Sequence, residues 1–262
     1  MLFLLPPSET KALGGGSLNI QQVALTFGGL NPARDQVYKA LERLCKKPAI
    51  AAQVLKLSPK QMGDVAVNLA AQTAPTLRAL ERYTGTLYDA IHGGFTGTDA
   101  PLGDSAWKRA KESVLIQSSL FGLIPATDLI PNYRLSASVA LPGAPLKKVW
   151  PQAHEPIFGR LNQGLIIDLR SKAYAELAPI PAEVPNLWVE VVSRESDGKL
   201  KALNHFNKRA KGLLIRAVLT AERAPETLAD LAAIASKAGM ELYEADGQLV
   251  LVTDQIKKAQ RA

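Results

Sequence analysis

The sequence predicts an α/β protein (mixed α+β), in which a mixed sheet is surrounded by helices within a single compact domain. The clearest strand signals are two apolar, β-branched runs, GLIIDLRS at residues 164–171 and NLWVEVVSR at 186–194. Other segments place apolar residues at helical spacing. The chain has 262 residues, of which 47% are hydrophobic, and its only linker-like piece is the glycine run at 14–16, so we expect one domain over 1–262.

The amino-terminal elements follow from short apolar runs and helix boundary signals. Leu2–Leu5 is an apolar run stopped by two prolines, which is typical of a buried strand that leads into a loop. Asn31, with Pro32 after it, predicts a helix cap, and the helical spacing continues to about Lys47. Further helical patterns follow at residues 49–57, 60–74 and 76–91, the last interrupted at Gly85.

The remaining elements alternate between strands and helices. A polar helix at 107–113 precedes the apolar run VLIQSSLFGLI at 114–124, which predicts a strand, and VALPGAP at 139–145 predicts another strand and turn. Towards the carboxyl terminus, the patterns predict a helix over 204–218, a capped helix from about Pro225 to Gly239 and a strand at 248–253.

The charge of the chain is concentrated in one segment. Lys and Arg number 31 against 24 Asp and Glu, which gives a net charge of +7 and favours phosphate-rich partners. Six basic residues with no acidic residue among them lie between 199 and 216: Lys199, Lys201, Lys208, Arg209, Lys211 and Arg216. The segment NHFNKRAKGLLIR at 204–216 therefore predicts a basic surface that meets a polyanion, DNA foremost.

A helical projection of 204–218 separates an apolar face from a basic one. The apolar face holds Phe206, Ala210, Leu213, Leu214 and Ala217, and we expect it to dock on the core. The basic face holds Lys208, Arg209, Lys211 and Arg216, with Gly212 among them. The missing side chain of Gly212 would let a ligand backbone approach closely. A solvated helix face is the alternative, and a membrane surface is a weaker one.

Cysteine and histidine usage gives no sign of a metal site. The single cysteine, Cys45, excludes an intramolecular disulfide and suits a reducing compartment, and without a resolving cysteine a peroxidatic role has little support. The histidines His92, His154 and His205 are far apart and lack a second ligand at i+3 or i+4. We therefore predict no metal and no cofactor. With neither a signal peptide nor an apolar run of about 20 residues, the chain is expected in the cytoplasm, away from membranes.

Polar residues after strands are candidates for a site. Tyr133 and Arg134 lie in a proline-bounded loop, where Arg clamps phosphate and Tyr stacks or donates. The alternative is that Arg134 pairs with an internal carboxylate such as Asp128. Asp168 ends a buried strand, and three roles stay open for it: a partner of a cleft arginine, a structural carboxylate or a catalytic one.

Several segments resemble, in order, the motifs of the YaaA family of peroxide-stress proteins. They are PPSETK, YTGTLYDAI, SSLFGLIPATDLIPNYRL, Trp150, IIDLRSKAY and NHFNKRAKGLLIR. The block at 120–135 is long and specific, and the resemblance runs from the amino terminus to beyond Arg216. It implies a single α/β domain of unusual topology, a positively charged cleft and a helix-hairpin-helix element. It also implies binding of double-stranded and distorted DNA, and a cytosolic role in limiting iron-linked peroxide damage.

Two features bear on these implications. Some family members have a Lys in the amino-terminal motif where this chain has Glu9, with Lys11 two positions later, so the charge of the cleft depends on Glu9. The helix-hairpin-helix idea points to LKLSPKQMGDVAVNLA at 55–70, where Lys56 and Lys60 flank a tight connection. The expected paired glycines are missing, so an ordinary helix turn is the alternative.

The first hypothesis is a DNA-binding protein of the peroxide response that holds double-stranded DNA through its phosphates, largely without sequence readout. Its predicted contacts are Lys208, Arg209, Lys211, Arg216, Arg134, Tyr133, Lys11, Lys56 and Lys60. The rival is an enzyme acting on a nucleotide or nucleic acid in the same cleft, lined by Ser8, Glu9, Tyr133, Asp168 and Tyr174. Its catalytic candidates are Glu9, Asp168 and Tyr174. An iron-binding protein is a third reading, which the scattered histidines disfavour; no protein partner is inferred.

Overall fold

The structure is a computed structural model that describes residues 1–94, 100–161, 164–194, 199–202 and 207–253. The strands are β1 Leu2–Leu5, β2 Leu77–Arg78, β3 Val114–Ser118, β4 Gly122–Pro125, β5 Leu129–Ile130, β6 Ile166–Asp168, β7 Asn186–Arg194, β8 Leu200–Ala202, β9 Met240–Ala245 and β10 Gln248–Thr253. The helices are α1 Asn31–Cys45, α2 Pro48–Val54, α3 Asp64–Ala70, α4 Ala79–Arg82, α5 Thr86–His92, α6 Asp104–Ser113, α7 Leu146–Arg160, α8 Lys172–Leu177, α9 Asn207–Thr220 and α10 Leu228–Lys237.

The main sheet is mixed and largely parallel. Its order is β4-β3-β1-β6-β7-β10-β9, and β8 pairs with β7. Strands β3, β1, β6, β7 and β10 run parallel to one another, whereas β4 and β9 pair antiparallel at the two ends. This confirms the predicted compact α/β class with a mixed sheet. That one domain extends over 1–262 stays a prediction.

The order of the sheet reverses at β1. The chain passes from β1 to β3 on one side and later returns to β6 on the other side. In open α/β sheets, the carboxyl ends of the strands at such a reversal border a crevice, because the flanking connections leave in opposite directions. The loops that follow β1 and β6 therefore meet at one edge of the sheet.

Strand β1 separates two hydrophobic cores. Phe3 and Leu5 pack into the larger core, whereas Leu4, between them, packs into a smaller core together with Phe158 of α7. Successive side chains of a strand point to opposite faces of the sheet, so both faces of β1 are covered. Helices α5, α6 and α9 contribute to the larger core. None of the described helices is both long and apolar enough to cross a membrane.

Two predicted strands differ from the structure. The run at 114–124 is a hairpin of β3 and β4, in which Ser118 pairs with Gly122. Gly122 adopts a φ of +66°, and a Cβ there would lie 2.7 Å from Trp150, so only glycine suits this tight reversal. The segment 139–145 forms no strand; it leads into α7, which the sequence patterns missed because Pro151 and Pro156 lie inside the helix.

The helical predictions for the first 92 residues needed several corrections. Helix α1 begins at Asn31 after a 3₁₀ turn, and the Asn31 side chain accepts a hydrogen bond from Arg34 instead of capping the helix. The helix predicted at 60–74 is a 3₁₀ turn, Pro59–Gln61, followed by α3. The pattern at 76–91 divides into β2, α4 and α5, and its predicted interruption falls at Gly85, which has a φ of +92°.

Gly212 lies in a helix–helix contact and does not face a ligand, which corrects the helical projection. A Cβ at Gly212 would lie 2.2 Å from the Leu87 carbonyl oxygen and 2.8 Å from the Ala90 Cβ, both on α5. The missing side chain therefore lets α5 and α9 approach closely. Residues 204–206 lie outside the described part of the chain.

A buried ion pair joins the end of β6 to α8. Arg170 donates hydrogen bonds to both carboxylate oxygens of Asp168, at 2.8 Å from Nη2 and 2.9 Å from Nε, and to the Ala178 carbonyl oxygen at 2.6 Å. The Arg170 backbone N–H also donates to the same carboxylate. The side chains are only 1% and 5% exposed, so each charge depends on the other for compensation.

Replacing Gly212 by Ala should destabilise the protein, because the new methyl group would overlap the Leu87 carbonyl and force α5 and α9 apart. We expect the free energy of unfolding to fall by about 1–3 kcal/mol in denaturant titrations. Gly159→Ala is the matched control, because a Cβ there meets open space. Equal stability of the Gly212 variant and wild type would contradict the close contact.

Replacing Asp168 by Asn should leave the Arg170 charge buried and uncompensated. We expect a loss of about 3–5 kcal/mol in unfolding free energy, as for other broken buried pairs. Adding Arg170→Met to Asp168→Asn should recover part of that loss, because it removes the orphaned charge. The exposed Lys39–Asp35 pair provides the control, since Lys39→Ala should change stability little. A double variant no more stable than Asp168→Asn would exclude the proposed electrostatic cause.

Candidate functional site

A cavity of about 950 Å³ lies where the loops after β1 and β6 meet. Residues 6–10 follow β1 on one wall, and residues 169–174 follow β6 on another. The first residues of α5 and α9 and residues of β7 complete the lining. The cavity thus occupies the crevice expected at the order reversal of the sheet.

Hydroxyl groups are abundant in the wall of this cavity. The lining side chains that carry one are Ser8, Thr10, Thr84, Thr86, Ser136, Ser138, Ser171, Tyr88 and Tyr174. The Ser8 and Thr10 hydroxyls lie 3.2 Å apart, and Thr10 donates to the Thr84 carbonyl oxygen at 3.2 Å. Hydroxyl groups donate and accept hydrogen bonds, so this wall suits a polar ligand such as a phosphate ester or a sugar.

Lys211 is a buried cation in the cavity wall. Its ammonium donates to the Leu169 carbonyl oxygen at 3.0 Å and to the Arg170 carbonyl oxygen at 3.4 Å, and it lies 5.2 Å from the Trp188 ring centroid. Burial lowers the pKa of Lys211 to about 8, although the Asp168 carboxylate opposes this shift. Lys211 therefore carries its charge at neutral pH and loses it in mildly alkaline solution.

Lys208 lies at the start of α9, in the same wall. Its side chain is exposed and forms no ion pair with any residue that the structure describes. Helix α9 has 14 residues, and Asn207 and Lys208 in its first turn line the cavity. The unsatisfied N–H groups and partial positive charge of a helix start attract anions, so Lys208 and the helix start act in the same direction.

The other two cations of α9 have different surroundings. Arg216 donates to the carbonyl oxygens of Ile91 and Ala100, each at 2.9 Å, and so ties α9 to the end of α5. Arg209 is half-buried and, like Arg216, lies outside the cavity lining. Lys208, Arg209, Lys211 and Arg216 therefore do not open onto one common surface, because neighbouring elements cover part of the basic face that the projection predicts.

Arg134 is paired with acidic groups. Its Nη2 lies 2.8 Å from the Glu9 Oε2, and its Nε lies 3.9 Å from the Asp64 Oδ2. The side-chain oxygen and amide of Asn68 bind the Arg134 backbone N–H and carbonyl. Glu9 lines the cavity and is 59% exposed, so a competing anion reaches this pair from solvent.

Asp128 is not the partner of Arg134, which rules out that particular alternative. Its carboxylate accepts from the Thr26 backbone N–H at 2.9 Å and from the Thr26 hydroxyl at 2.7 Å. The pKa of Asp128 is raised overall, because the effect of burial is larger than the opposing effects of these hydrogen bonds and of the nearby Arg34.

Tyr133 and Lys11 lie beneath the site. Tyr133 is 1% exposed, and its hydroxyl lies 2.8 Å from the hydroxyls of Tyr83 and Ser118. The Lys11 ammonium lies 4.1 Å from the Tyr133 ring centroid and donates to the Ser8 carbonyl oxygen. Burial, followed by the charge of Arg134, lowers the pKa of Lys11 to about 7. This arrangement holds the loop after β1 in place and leaves no ring face of Tyr133 for a base.

The three catalytic candidates are not equivalent. Glu9 and Tyr174 line the cavity, whereas Asp168 lies below it in the pair with Arg170. Burial, followed by the nearby Tyr133, raises the pKa of Tyr174, so its hydroxyl stays protonated at physiological pH. The cavity thus brings together Ser8, Glu9 and Tyr174 of the predicted enzyme site, but not Tyr133 or Asp168.

Lys56 and Lys60 belong to the connection between α2 and α3, outside the cavity lining. Both are exposed, and Lys56 adopts a φ of +55°. Ser58 and Gln61 form a capping box around the 3₁₀ turn between the helices. A helix-hairpin-helix element is not confirmed here. A uniformly basic cleft is not confirmed either, because Glu9 and Glu190 share the cavity wall with Lys172, Lys208 and Lys211.

The described histidines and the cysteine have structural surroundings. His154 accepts from the Leu123 backbone N–H and contacts the Trp150 carbonyl oxygen, and burial lowers its pKa to about 4. His92 lies 3.0 Å from the Leu80 carbonyl oxygen. Burial raises the pKa of the Cys45 thiol. Over the described ranges, no three His, Cys, Asp or Glu side chains are grouped to hold a metal ion.

Lys172, Trp188 and Glu190 are among the lining residues that the sequence patterns did not indicate. Trp188 and Glu190 lie two positions apart on β7, where the intervening Val189 is buried and Glu190 is exposed. The charged Glu190 within an otherwise apolar run was the signal that β7 borders a polar space.

Known proteins resemble the chain over most of its length. A family model described as "Peroxide stress protein YaaA" matches residues 1–245. A UPF0246 protein of Corynebacterium efficiens is 36% identical over 258 residues, which cover 97% of this chain and 99% of the relative. A UPF0246 protein of Streptomyces coelicolor is 37% identical over 252 residues, or 92% of each chain. One from Shewanella loihica is 26% identical over 235 residues, 84% of this chain and 85% of that one. This chain therefore belongs to the YaaA peroxide-stress family, which suggests a role in peroxide stress.

Proposed function

We propose that the protein is a DNA-binding protein of the hydrogen-peroxide response, which holds backbone phosphates at the mouth of the cavity. The observation that carries this proposal is the position of Lys208, exposed and without an ion-pair partner among the described residues, on the first turn of α9 beside the buried Lys211. A phosphate there would meet two ammonium groups and the start of a helix. These phosphate contacts involve no base, so the duplex binding that they provide should be largely independent of sequence.

Glu9 and Arg134 fit the same proposal as an exchangeable pair. The Glu9 carboxylate occupies the Arg134 guanidinium in the absence of ligand. Because Glu9 is well exposed, a phosphate that replaces it costs little desolvation. Arg134 would then contribute to binding only after this exchange, which lowers the affinity relative to a chain with a free arginine. The proposal also assigns the protein a role in limiting iron-linked oxidative damage.

A second candidate is an enzyme acting on a nucleotide or nucleic acid in the same cavity. The observation that favours it is the size of the cavity, about 950 Å³, which falls in the range of pockets for small molecules. Lys211 adds an amine with a lowered pKa, and Tyr174 adds a protonated hydroxyl. Incubation with nucleoside mono- and triphosphates and short oligonucleotides, followed by chromatography, tests it directly: new products support an enzyme, and unchanged substrates support binding alone.

The phosphate contacts predict a specific salt dependence. For duplex DNA, the logarithm of the binding constant should fall with the logarithm of salt concentration by about 0.9 per phosphate contact. Replacing both Lys208 and Lys211 by Met should therefore flatten the slope by roughly two units, since two contacts are lost. Fluorescence anisotropy of a labelled duplex over a salt series gives the slope, and circular dichroism checks the fold.

Lys60→Met is the matched control, because Lys60 is exposed but lies on the connection between α2 and α3. Its slope should equal that of the wild type. A flattened slope for Lys60→Met, with no change in the double variant, would instead move the interface to that connection. The charge of Lys211 is present below pH about 8 and lost above it, so its share of the slope should decline between pH 7 and 9.

A further inference from the structure

A second cavity adjoins the first around Trp188. It has a volume of about 490 Å³ and is lined by Lys172, Ala175, Glu176, Trp188, Glu190 and Gln248. Three of these residues, Lys172, Trp188 and Glu190, also line the larger cavity. The binding space therefore continues from the start of α9, past the indole of Trp188, to the outer face of β7 and β10.

Trp188 offers an aromatic surface with a free donor. The side chain is half-buried, and its indole N–H has no acceptor among the residues that the structure describes. The Lys211 ammonium lies over the ring, 5.2 Å from its centroid, but Lys211 does not line the second cavity. Indole surface therefore remains for a planar ligand that enters this cavity. Bases stack on such aromatic surfaces, since every base has a π-face.

Glu190 and Gln248 supply hydrogen-bonding groups beside the indole. Gln248 is the register partner of Trp188 on β10, and Glu190 lies two residues beyond Trp188 on β7. Both side chains are exposed, and neither is hydrogen-bonded to a described residue. A carboxylate accepts hydrogen bonds from the exocyclic amino group of a base, and an amide both donates and accepts.

We propose that the two cavities together bind one unpaired nucleotide. Its phosphate lies at Lys208 and the start of α9, and its base lies against Trp188, with its amino edge towards Glu190. This assignment rests on the phosphate contacts of the proposed function and names the ligand that occupies the site. A cavity of this size admits a nucleotide and excludes a duplex, so the base must come from single-stranded DNA, a mismatch or an extruded position.

Nucleotide titrations of the full chain test the base site. The probes are deoxycytidine 5′-monophosphate, thymidine 5′-monophosphate, deoxyribose 5-phosphate and inorganic phosphate, followed by tryptophan fluorescence and calorimetry. We expect the cytidine nucleotide to bind at least about fivefold more tightly than deoxyribose 5-phosphate, because stacking on an aromatic side chain is worth this much or more. Trp188→Ala should remove this difference and leave phosphate binding unchanged.

Two further variants test the roles of the individual groups. Glu190→Ala should weaken binding of the cytidine nucleotide more than binding of the thymidine nucleotide, because only cytosine carries an exocyclic amino group. The control Glu244→Ala, on β9, should change the affinity for neither nucleotide. A base bound against Trp188 should quench the tryptophan fluorescence of the protein. Trp188→Phe should abolish this quenching, whereas Trp107→Phe should retain it, because Trp107 stacks under Arg78 elsewhere in the structure.

The proposed function and the base site fail separately. Equal affinity for the cytidine nucleotide and deoxyribose 5-phosphate overturns the base site, even where salt-dependent duplex binding persists. Base-dependent binding that survives Trp188→Ala overturns it as well. Loss of all duplex binding, with base-dependent nucleotide binding retained, would overturn the DNA-binding proposal and support the base site as that of an enzyme.

Discussion

The ion pair between Asp168 and Arg170 is the constraint on which the polar edge of the sheet depends. Two opposite charges are buried at the end of a short parallel strand, and neither is stable there without the other. The guanidinium also binds the Ala178 carbonyl oxygen after α8, while the carbonyl oxygens of Leu169 and Arg170 accept from Lys211 of α9. One pair therefore positions α8 and the cationic start of α9 relative to β6.

The chemical character of the cavity follows from this arrangement. Parallel strands end together at one edge, and the order reversal at β1 opens a space between their connections. Loops and helix starts line this space, so it collects hydroxyl groups and lysines alongside apolar side chains. Such a site favours an anion. The two acidic residues in the wall, Glu9 and Glu190, restrict which anion fits: Glu9 competes for Arg134, and Glu190 faces the position that we assign to a base.

Local patterns predicted the elements that depend on few distant contacts. The bounds of β7 and β10 agree with the prediction because both segments are rich in valine and leucine and contain no proline or glycine. The hairpin of β3 and β4 was missed, because its reversal is stabilised by hydrogen bonds from Trp150 to the Ser119 carbonyl oxygen and from the Leu123 N–H to His154, about 30 residues apart in the sequence. Helix α7 was missed because Pro151 and Pro156 interrupt its local helical signal, whereas packing of Trp150 and Phe158 in the cores stabilises it.

The candidate site was predictable only in part, because it too depends on contacts between residues that are distant in the sequence. Charge clustering identified Lys208 and Lys211, since that signal lies within one segment. It could not show that Arg216 binds the end of α5, or that Arg134 pairs with Glu9 at a separation of 125 residues. Trp188 resembled an ordinary strand residue. Its position between two cavities depends on α8, α9 and β10, which only the tertiary structure brings together.

The central claim, that the crevice at β1 and β6 is where the protein holds nucleic acid, is tested most directly by a crystal structure with DNA. A short duplex carrying one unpaired cytidine is the suitable ligand. Our account predicts a phosphate beside Lys208 and Lys211, with the unpaired base against Trp188. A duplex bound across Lys56 and Lys60, with the cavity free of nucleotide, would contradict it.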